Sequence, residues 1–234
     1  MNTPHNFEGF GPIYVINLER SPERKENMIA QFEEHGITDF SFVTAIDAAK
    51  DLEAQGVVIE QNPVMMPTEH ACAASHFLAI EHWLNTSDSP YAIFFEDDMS
   101  FELVKNWKIS WKDLFEQLPE ECVVFQMSSI RIEWQDSHMR LRERDKGEDW
   151  SSGVYLIHRE YAQTLVSKHI KDGLIKTIVN MGIAENVLFN DCVTYVYPMF
   201  VELAESQSTI RGNSHDGLHA ASRNKILEFF AKMD

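Results

Sequence analysis

The stretch YAIFFEDDMSF, Tyr91 to Phe101, runs five apolar or aromatic residues into three consecutive acids, Glu96, Asp97 and Asp98. A run of that kind reads as a strand buried on both faces of a sheet. Side chains alternate along a strand, so Glu96 and Asp98 are expected on one side and Asp97 on the other. Two converging carboxylates repel, and one is forced to hold a proton unless a cation lies between them. Oxygen ligands favour Mg²⁺ or Mn²⁺ over Zn²⁺, whereas the bland alternative is three solvated acids on a loop. A cation held by one or two carboxylates keeps positions open for water and phosphate oxygens, which points to nucleotide chemistry. Neither GxxxxGK[ST] nor a GxGxxG after the first apolar run is present, so P-loop and dinucleotide-binding readings fall away.

The elements that must position these acids alternate between two periods. PIYVINL (Pro12 to Leu18) reads as a strand, and the following ERSPERKENMIAQFEEHG as a helix with Ser21 as N-cap, Pro22 at its first position and Gly36 as its stop. Asp39 to Asp47 reads as the next strand, with a short helix possible in DAAKDLEAQG. A long helix N-capped by Thr68 is expected through PTEHACAASHFLAIEHWL, then the strand from Tyr91 to Phe95. Trp107, Trp111, Leu114 and Phe115 are spaced as the core face of a helix over Leu103 to Leu118, and CVVFQM follows as a strand. Residues 128–150 read as a polar insertion with a possible hairpin. SSGVYLIHREYAQTLVSKHI resumes strand and helix, AENVLFNDCVTYVYP gives a helix start and a strand closed by Pro198, and a tail over 205–234 ends in a helix near Asn224 to Met233. Strand and helix in alternation predict an α/β fold, with a mainly parallel central sheet flanked by helices. In such sheets ligands bind beyond the carboxyl ends of the strands, where the acids sit. No linker or repeat divides the chain, so 1–234 reads as a single domain.

At 234 residues the chain can bury a sizeable core. Its formal net charge of -17 argues against nucleic acid or an anionic lipid surface as a partner. The one basic cluster, RLRERDK at Arg140 to Lys146, is interleaved with acids and reads as a solvated face. Cys72, Cys122 and Cys192 are odd in number and unpaired in spacing, which predicts free thiols and a reducing compartment. With neither a leader pattern nor an apolar stretch long enough to span a bilayer, the expected location is cytoplasmic, with at most peripheral membrane contact.

Four segments in order, YVINLERSPERKENM, TEHACAASHFLAI, FFEDDMSF and SSGVYLI, resemble the signatures of glycosyltransferase family 25, which includes lipooligosaccharide β-galactosyltransferases and collagen galactosyltransferases. The resemblance covers about Ile13 to Ile210. It implies a GT-A type fold, a nucleotide-sugar donor such as UDP-galactose or UDP-glucose, Mn²⁺ (or Mg²⁺), and a glycan or glycoprotein acceptor. It implies that Glu96 and Asp98 hold the metal and that Asp97 belongs to the donor site. Asn17, Leu18 and Arg20 match the loop that lies against the nucleotide, and Arg20 and Arg24 suit phosphates as fixed positive forks. Asp47 is expected either to take a ribose or uracil hydrogen bond or to cap a turn. Ser75 and His76 are retained as donor or acceptor contacts, with a structural role as the alternative for a helix histidine, while Thr68 and Ala71 stand where the family commonly has glycine.

A transfer that inverts the anomeric centre needs a carboxylate base to take the acceptor proton. Glu185, in IAENVLFND, is the first candidate and stands where the family more often has Asp; Asp149 is the second. A late histidine completes the metal shell in many GT-A folds, and GNSHDGLH offers His215 or His219, of which His215 is the expected ligand. The function expected is metal-dependent transfer of a hexose from a UDP-sugar to a hydroxyl of a glycan or protein. Two alternatives stand beside it: a nucleotidyltransferase on a related sheet, which would leave a nucleotide on its product, and a silent carbohydrate-binding protein, which would consume no donor.

Overall fold

The computed structural model describes residues 7–60, 65–178, 183–204 and 216–232. Strand β1 (Ile13–Asn17) turns at Ser21 into α1 (Pro22–Glu34), and Gly36 at φ +67 ends that unit in the left-handed conformation glycine adopts without strain. Next come β2 (Phe40–Thr44) and β3 (Val57–Glu60). The helix considered in DAAKDLEAQG is only a 3-10 turn at Glu53–Gln55. Helix α2 (Pro67–Thr86) begins earlier than expected, with Met66 rather than Thr68 at the N-cap: Pro67 fits the first position, and Glu69 Oε2 accepts from Met66 N at 2.9 Å.

After α2 come β4 (Tyr91–Glu96), β5 (Met99–Ser100), α3 (Trp111–Phe115) and β6 (Val124–Ser128). The long helix expected over Leu103 to Leu118 is broken, because Ser110 Oγ accepts from Asp113 N at 3.1 Å and starts a new helix there. The chain continues through β7 (Arg142–Glu143), β8 (Val154–His158), α4 (Arg159–His169), β9 (Ile170–Lys171), β10 (Leu174–Ile178), α5 (Ala184–Phe189), β11 (Thr194–Glu202) and α6 (Asp216–Ala231). None of the helices among the described residues is long and apolar enough to cross a membrane.

The main sheet has the order β2-β1-β4-β8-β6-β11-β5, with β7 also on β11, and β3, β10 and β9 form a small second sheet. β2, β1 and β4 are parallel, as are β6 and β11, whereas β8 runs antiparallel between β4 and β6. The reversal has a local cause: β6 leads into an irregular excursion instead of a crossover helix, so the chain re-enters the sheet from the edge it left. The start of β8 therefore joins the carboxyl ends of β1, β4 and β6 on one rim.

Alternation along the central strands sorts the core into two layers. Tyr14, Ile16, Phe94 and Tyr155 pack with Ala74, Phe77 and Trp83 of α2. Ile13, Val15, Ile93 and Phe95 pack on the opposite face with Met28 and Phe32 of α1 and Trp111 of α3. The small residues of α2, Ala71, Ala73, Ala74 and Ser75, are all buried and let the helix lie close on the sheet.

Residues 128–150 form no hairpin. An Ile130–Trp150 bridge closes the excursion, β7 pairs with β11, and a buried charge cluster fills the interior. Asp149 is fully buried, with Oδ1 2.7 Å from Arg131 Nη1 and Oδ2 2.6 Å from Arg142 Nη1. Ser129 Oγ and Asp145 N donate to the same carboxylate at 3.0 and 2.9 Å, and Arg144 Nε donates to the Asp149 carbonyl at 3.2 Å. This corrects the expectation that Asp149 is a base: its oxygens are committed to the cluster and out of reach of an acceptor hydroxyl. The basic run is a solvated face only in part: Arg140, Glu143, Asp145 and Lys146 are exposed, whereas Arg144 is buried and Arg142 is largely covered.

Against the opposing cost of burial, the Arg142 and Arg131 hydrogen bonds hold Asp149 down at about 2. Removing one partner of such a buried cluster strands the others, so Asp149→Asn is expected to lose about 3–5 kcal/mol of stability in urea unfolding. Because folding lowers this pKa, the ionic contribution is complete above the unfolded value of about 4 and is lost as pH falls toward about 2. The parent should therefore show a steeper acid-dependent fall in stability over that window than Asp149→Asn.

Candidate active site

Because β4 is buried on both faces, the acids that end it diverge. Glu96 follows Phe94 toward α2, where Oε1 accepts from Ser152 Oγ at 2.8 Å and lies 3.4 Å from His76 Nε2. Burial raises the Glu96 pKa, but the hydrogen bonds from His76 and Ser152 outweigh it, and the group stays below the usual carboxylate range. Asp97 turns toward α1, where it accepts from Asn17 Nδ2 at 2.7 Å and Arg24 Nη1 at 3.0 Å. Asp98 lies beyond the strand and takes a weaker contact of 3.4 Å from the same Arg24 nitrogen. Burial and the neighbouring Glu96 and Glu202 carboxylates push Asp98 up to about 7.

Glu202 is a fourth acid on this rim. The sequence reading ended the last strand at Pro198, but β11 runs on through it, with a register irregularity between Val196 and Phe200 that accommodates the missing N–H. Glu202 thus pairs with Met99, and Leu203 N donates to the Asp98 carbonyl at 2.8 Å. His219, near the start of α6, sets Nδ1 2.8 Å from Glu202 Oε2. His215, expected as the late ligand, lies outside the described residues.

Two cavities meet at these acids. The first, of ≈ 350 Å³, is lined by Leu18, Arg20 and Arg24 after β1, by Ala45, Ile46, Ala48 and Ala49 after β2, and by Thr68 and Ala71 of α2. The second, of ≈ 360 Å³, is walled by Ile130, Ile132, Trp150 and Leu218, with Ser151 and Glu185 at its polar side. Cys72, Glu96, Asp98, Glu202 and His219 border both.

Most of the expected donor residues gather at the first cavity, though several are already engaged. Leu18, Arg20, Arg24, Ser75, His76 and Asp97 line it. Asn17 does not: it donates to Ser21 O and Asp97, and so positions the acid. Asp47 also stays outside the lining; it accepts from Ala49 N at 3.0 Å and pairs with Arg20 at 3.1 Å, the turn-capping alternative. Ser75 Oγ donates to Ala71 O and accepts from Ile46 N, tying α2 to the loop after β2. His76, 1% exposed, holds Nδ1 3.1 Å from the Tyr155 hydroxyl.

In the second cavity, Glu185 of α5 accepts from Ser151 N at 2.7 Å through Oε1, while its Oε2 accepts no hydrogen bond among the described residues. Ser151 adopts φ +98, a strained conformation for a residue with a Cβ. It is held by Gln126 Nε2 at its carbonyl (2.9 Å) and Ser128 Oγ at its hydroxyl (2.9 Å), one residue after the backbone that Trp150 bridges to Ile130. The buried Asp149 cluster fixes the segment immediately before it.

The acid set has the chemistry a hard divalent cation requires. Glu96, Asp98 and Glu202 all border both cavities with carboxylate oxygens, and burial, then the Glu96 and Glu202 carboxylates, raise the Asp98 pKa.

The model for "Glycosyltransferase family 25 (LPS biosynthesis protein)" matches residues 10–172, more than half of the chain. A glycosyltransferase 25 family member from Aedes aegypti is 31% identical over 111 residues, 42% of this chain; the chain covers 18% of that relative's length. Among solved structures, the chain is similar to a glycosyltransferase involved in the glycosylation of the major capsid of PBCV-1, at 9% identity over 92% of this chain and 98% of that one, with a TM-score of 0.39. It is similar also to the inositol-1-phosphate CTP transferase from T. maritima, at 12% identity over 94% and 95%, with a TM-score of 0.43. At these TM-scores the likenesses carry no argument about residues or reaction. By the family match over residues 10–172, a span that includes β1, α2, β4 and β8, the chain belongs to glycosyltransferase family 25.

Proposed function

We propose that this protein transfers a hexosyl group from a UDP-sugar, bound in the first cavity, to a hydroxyl of a glycan or protein acceptor bound in the second. The observation that carries the reading is the meeting of two cavities at Glu96, Asp98 and Glu202, because a transfer between two substrates needs both to reach one reacting centre. Family membership supports a glycosyl donor, and the GT-A reading of the sheet agrees with a ligand rim at the carboxyl ends of its parallel strands.

Glu96 and Asp98, with Glu202, would hold Mn²⁺ or Mg²⁺. When bound, the cation supplies positive charge against the donor diphosphate. The chain's own residues do the rest. Leu18, Ala45, Ile46, Ala48 and Ala49 wall the nucleoside end of the cavity. Arg20, half exposed and braced by Asp47, sits at its mouth and can turn its fork to the phosphates. Arg24 keeps Asp97 and Asp98 in place from the α1 side. Trp150 and Ile132 form an apolar wall suited to the carbon face of an acceptor sugar.

Glu185 is the base of this reading. Its Oε1 is fixed by Ser151 N and the residue lines the second cavity, which leaves Oε2 for the acceptor. It takes the hydroxyl proton as the acceptor oxygen attacks the anomeric carbon from the side opposite the departing diphosphate, which inverts that centre and releases free UDP.

UDP with Mn²⁺ together is expected to raise the melting temperature more than either alone; at about a hundred times its dissociation constant a ligand adds roughly 2.7 kcal/mol to the folded state. Equal stabilisation by UDP in excess EDTA would contradict the metal-bridged donor, and Asp98→Asn should stay folded while losing the combined effect. In a screen of UDP-sugars with and without Mn²⁺, release of free UDP separates transfer from nucleotidyl chemistry, which leaves the nucleotide on its product.

Glu185→Gln keeps shape and removes basicity. It should bind UDP and Mn²⁺ as the parent does and lose transfer by about 10²- to 10⁴-fold, the range for general-base removal. A variant that transfers at the parent rate would take the role away from Glu185.

A further inference from the structure

At the throat between the two cavities lies a donor set unlike the acids around it. Cys72 and His76 stand four residues apart on one face of α2, and Glu96 meets them from the end of β4. One ligand atom from each, a sulfur, an imidazole nitrogen and a carboxylate oxygen, lie within 4.8 Å of one another. Zn²⁺ holds nitrogen or oxygen at about 2.0 Å and sulfur at about 2.3 Å, which separates its ligand atoms by about 3.5 Å, so the three need to draw together by only about 1 Å. The surroundings are those of a prepared ligand set. His76 keeps Nδ1 at 3.1 Å from the Tyr155 hydroxyl and turns Nε2 to Glu96, the arrangement in which the second ring nitrogen orients the first toward a metal. Ser152 Oγ fixes Glu96 Oε1 at 2.8 Å. Cys72 and Glu96 both border the cavities, so an ion can enter, and a fourth position faces open space for water.

We infer that Cys72, His76 and Glu96 form a binding site for a thiophilic divalent cation of the Zn²⁺ class, distinct from the all-oxygen set of Glu96, Asp98 and Glu202 but sharing Glu96 with it. The sulfur makes the difference, since thiolate and imidazole select Zn²⁺ where carboxylates alone select Mg²⁺ or Mn²⁺. Binding replaces the Cys72 S–H bond with a sulfur–metal bond and releases one proton to solvent. An ion seated there occupies the passage between donor and acceptor and engages Glu96, so the consequence for the protein is inhibition by Zn²⁺. The site does not depend on the reaction assigned to the protein, because its ligands and their geometry stand without it.

The test uses the full chain, metal-free, and reads binding rather than turnover. Zn²⁺ affinity is measured by competition with a chromophoric chelator for the parent, Cys72→Ala and Asp98→Asn, each checked for folding by its thermal transition. Cys72→Ala should bind more weakly by about 10-fold or more, as expected when a ligand is lost, whereas Asp98→Asn should match the parent. Co²⁺ added to the parent and to Asp98→Asn should give a near-ultraviolet thiolate-to-cobalt charge-transfer band that Cys72→Ala lacks. Equal Zn²⁺ affinity in the parent and Cys72→Ala, or Co²⁺ binding to the parent without that band, overturns the proposal. Failure of UDP and Mn²⁺ to stabilise the protein would instead count against the transferase reading and leave these spectra unaffected.

Discussion

The site depends on one constraint, the burial of β4 on both faces between β1 and β8. A strand covered on both sides cannot rotate to relieve repulsion at its end, so the acids that leave it keep the directions the pleat gives them. Glu96 goes to the α2 layer and meets His76 and Ser152, while Asp97 goes to the α1 layer and meets Asn17 and Arg24. The two partners differ in kind. One acid is kept ionised by neutral and imidazole donors at the cavity junction, and the other is tied into the turn that shapes the junction. Asp98, past the end of the strand, has its pKa raised by burial and by the Glu96 and Glu202 carboxylates.

The second cavity is positioned by a different device. Asp149 gathers Arg131, Arg142, the Arg144 side chain and the backbone of Asp145 into a buried cluster in which its carboxylate is held from several sides. That cluster anchors the chain directly before Ser151, which is then held at a positive φ by Gln126 and Ser128 so that its N–H points at Glu185. Strain of this sort persists only where the surroundings over-determine the backbone. Gly153 completes the fit, since a Cβ there would meet Met99 Sδ at 2.5 Å. The excursion between β6 and β8 thus does for the second cavity what the buried strand does for the first.

The features around the second cavity were weakly legible in the sequence. The alternation of acids and arginines in RLRERDK has the pattern of a solvated surface, and only the closing of the excursion around Asp149 turns Arg142 and Arg144 inward. Pro198 similarly reads as the end of a strand, because proline cannot donate to a ladder. In the structure the irregularity in register absorbs it, and the strand carries Glu202 to the junction. The Leu103–Leu118 helix failed for a related reason: the apolar spacing was right for burial, but Ser110 capped a new helix inside it. Trp111 and Leu114 are core residues all the same.

The sequence by itself determined the alternation of strand and helix through β4, the burial of YAIFF, the placing of Glu96, Asp97 and Asp98 at a strand end, and the ordered segments that mark the family. These are local properties: side-chain period, capping residues and apolar run length act over a few neighbours and leave their mark in consecutive letters. Only the tertiary structure decided that β8 runs antiparallel, that Glu202 and His219 join the acids, that Asp149 is an anchor while Glu185 faces a cavity, and that Cys72 stands beside His76 and Glu96. Those facts depend on which distant segments share a rim. The sheet order and the return of a loop set that sharing, and no spacing within one segment records it.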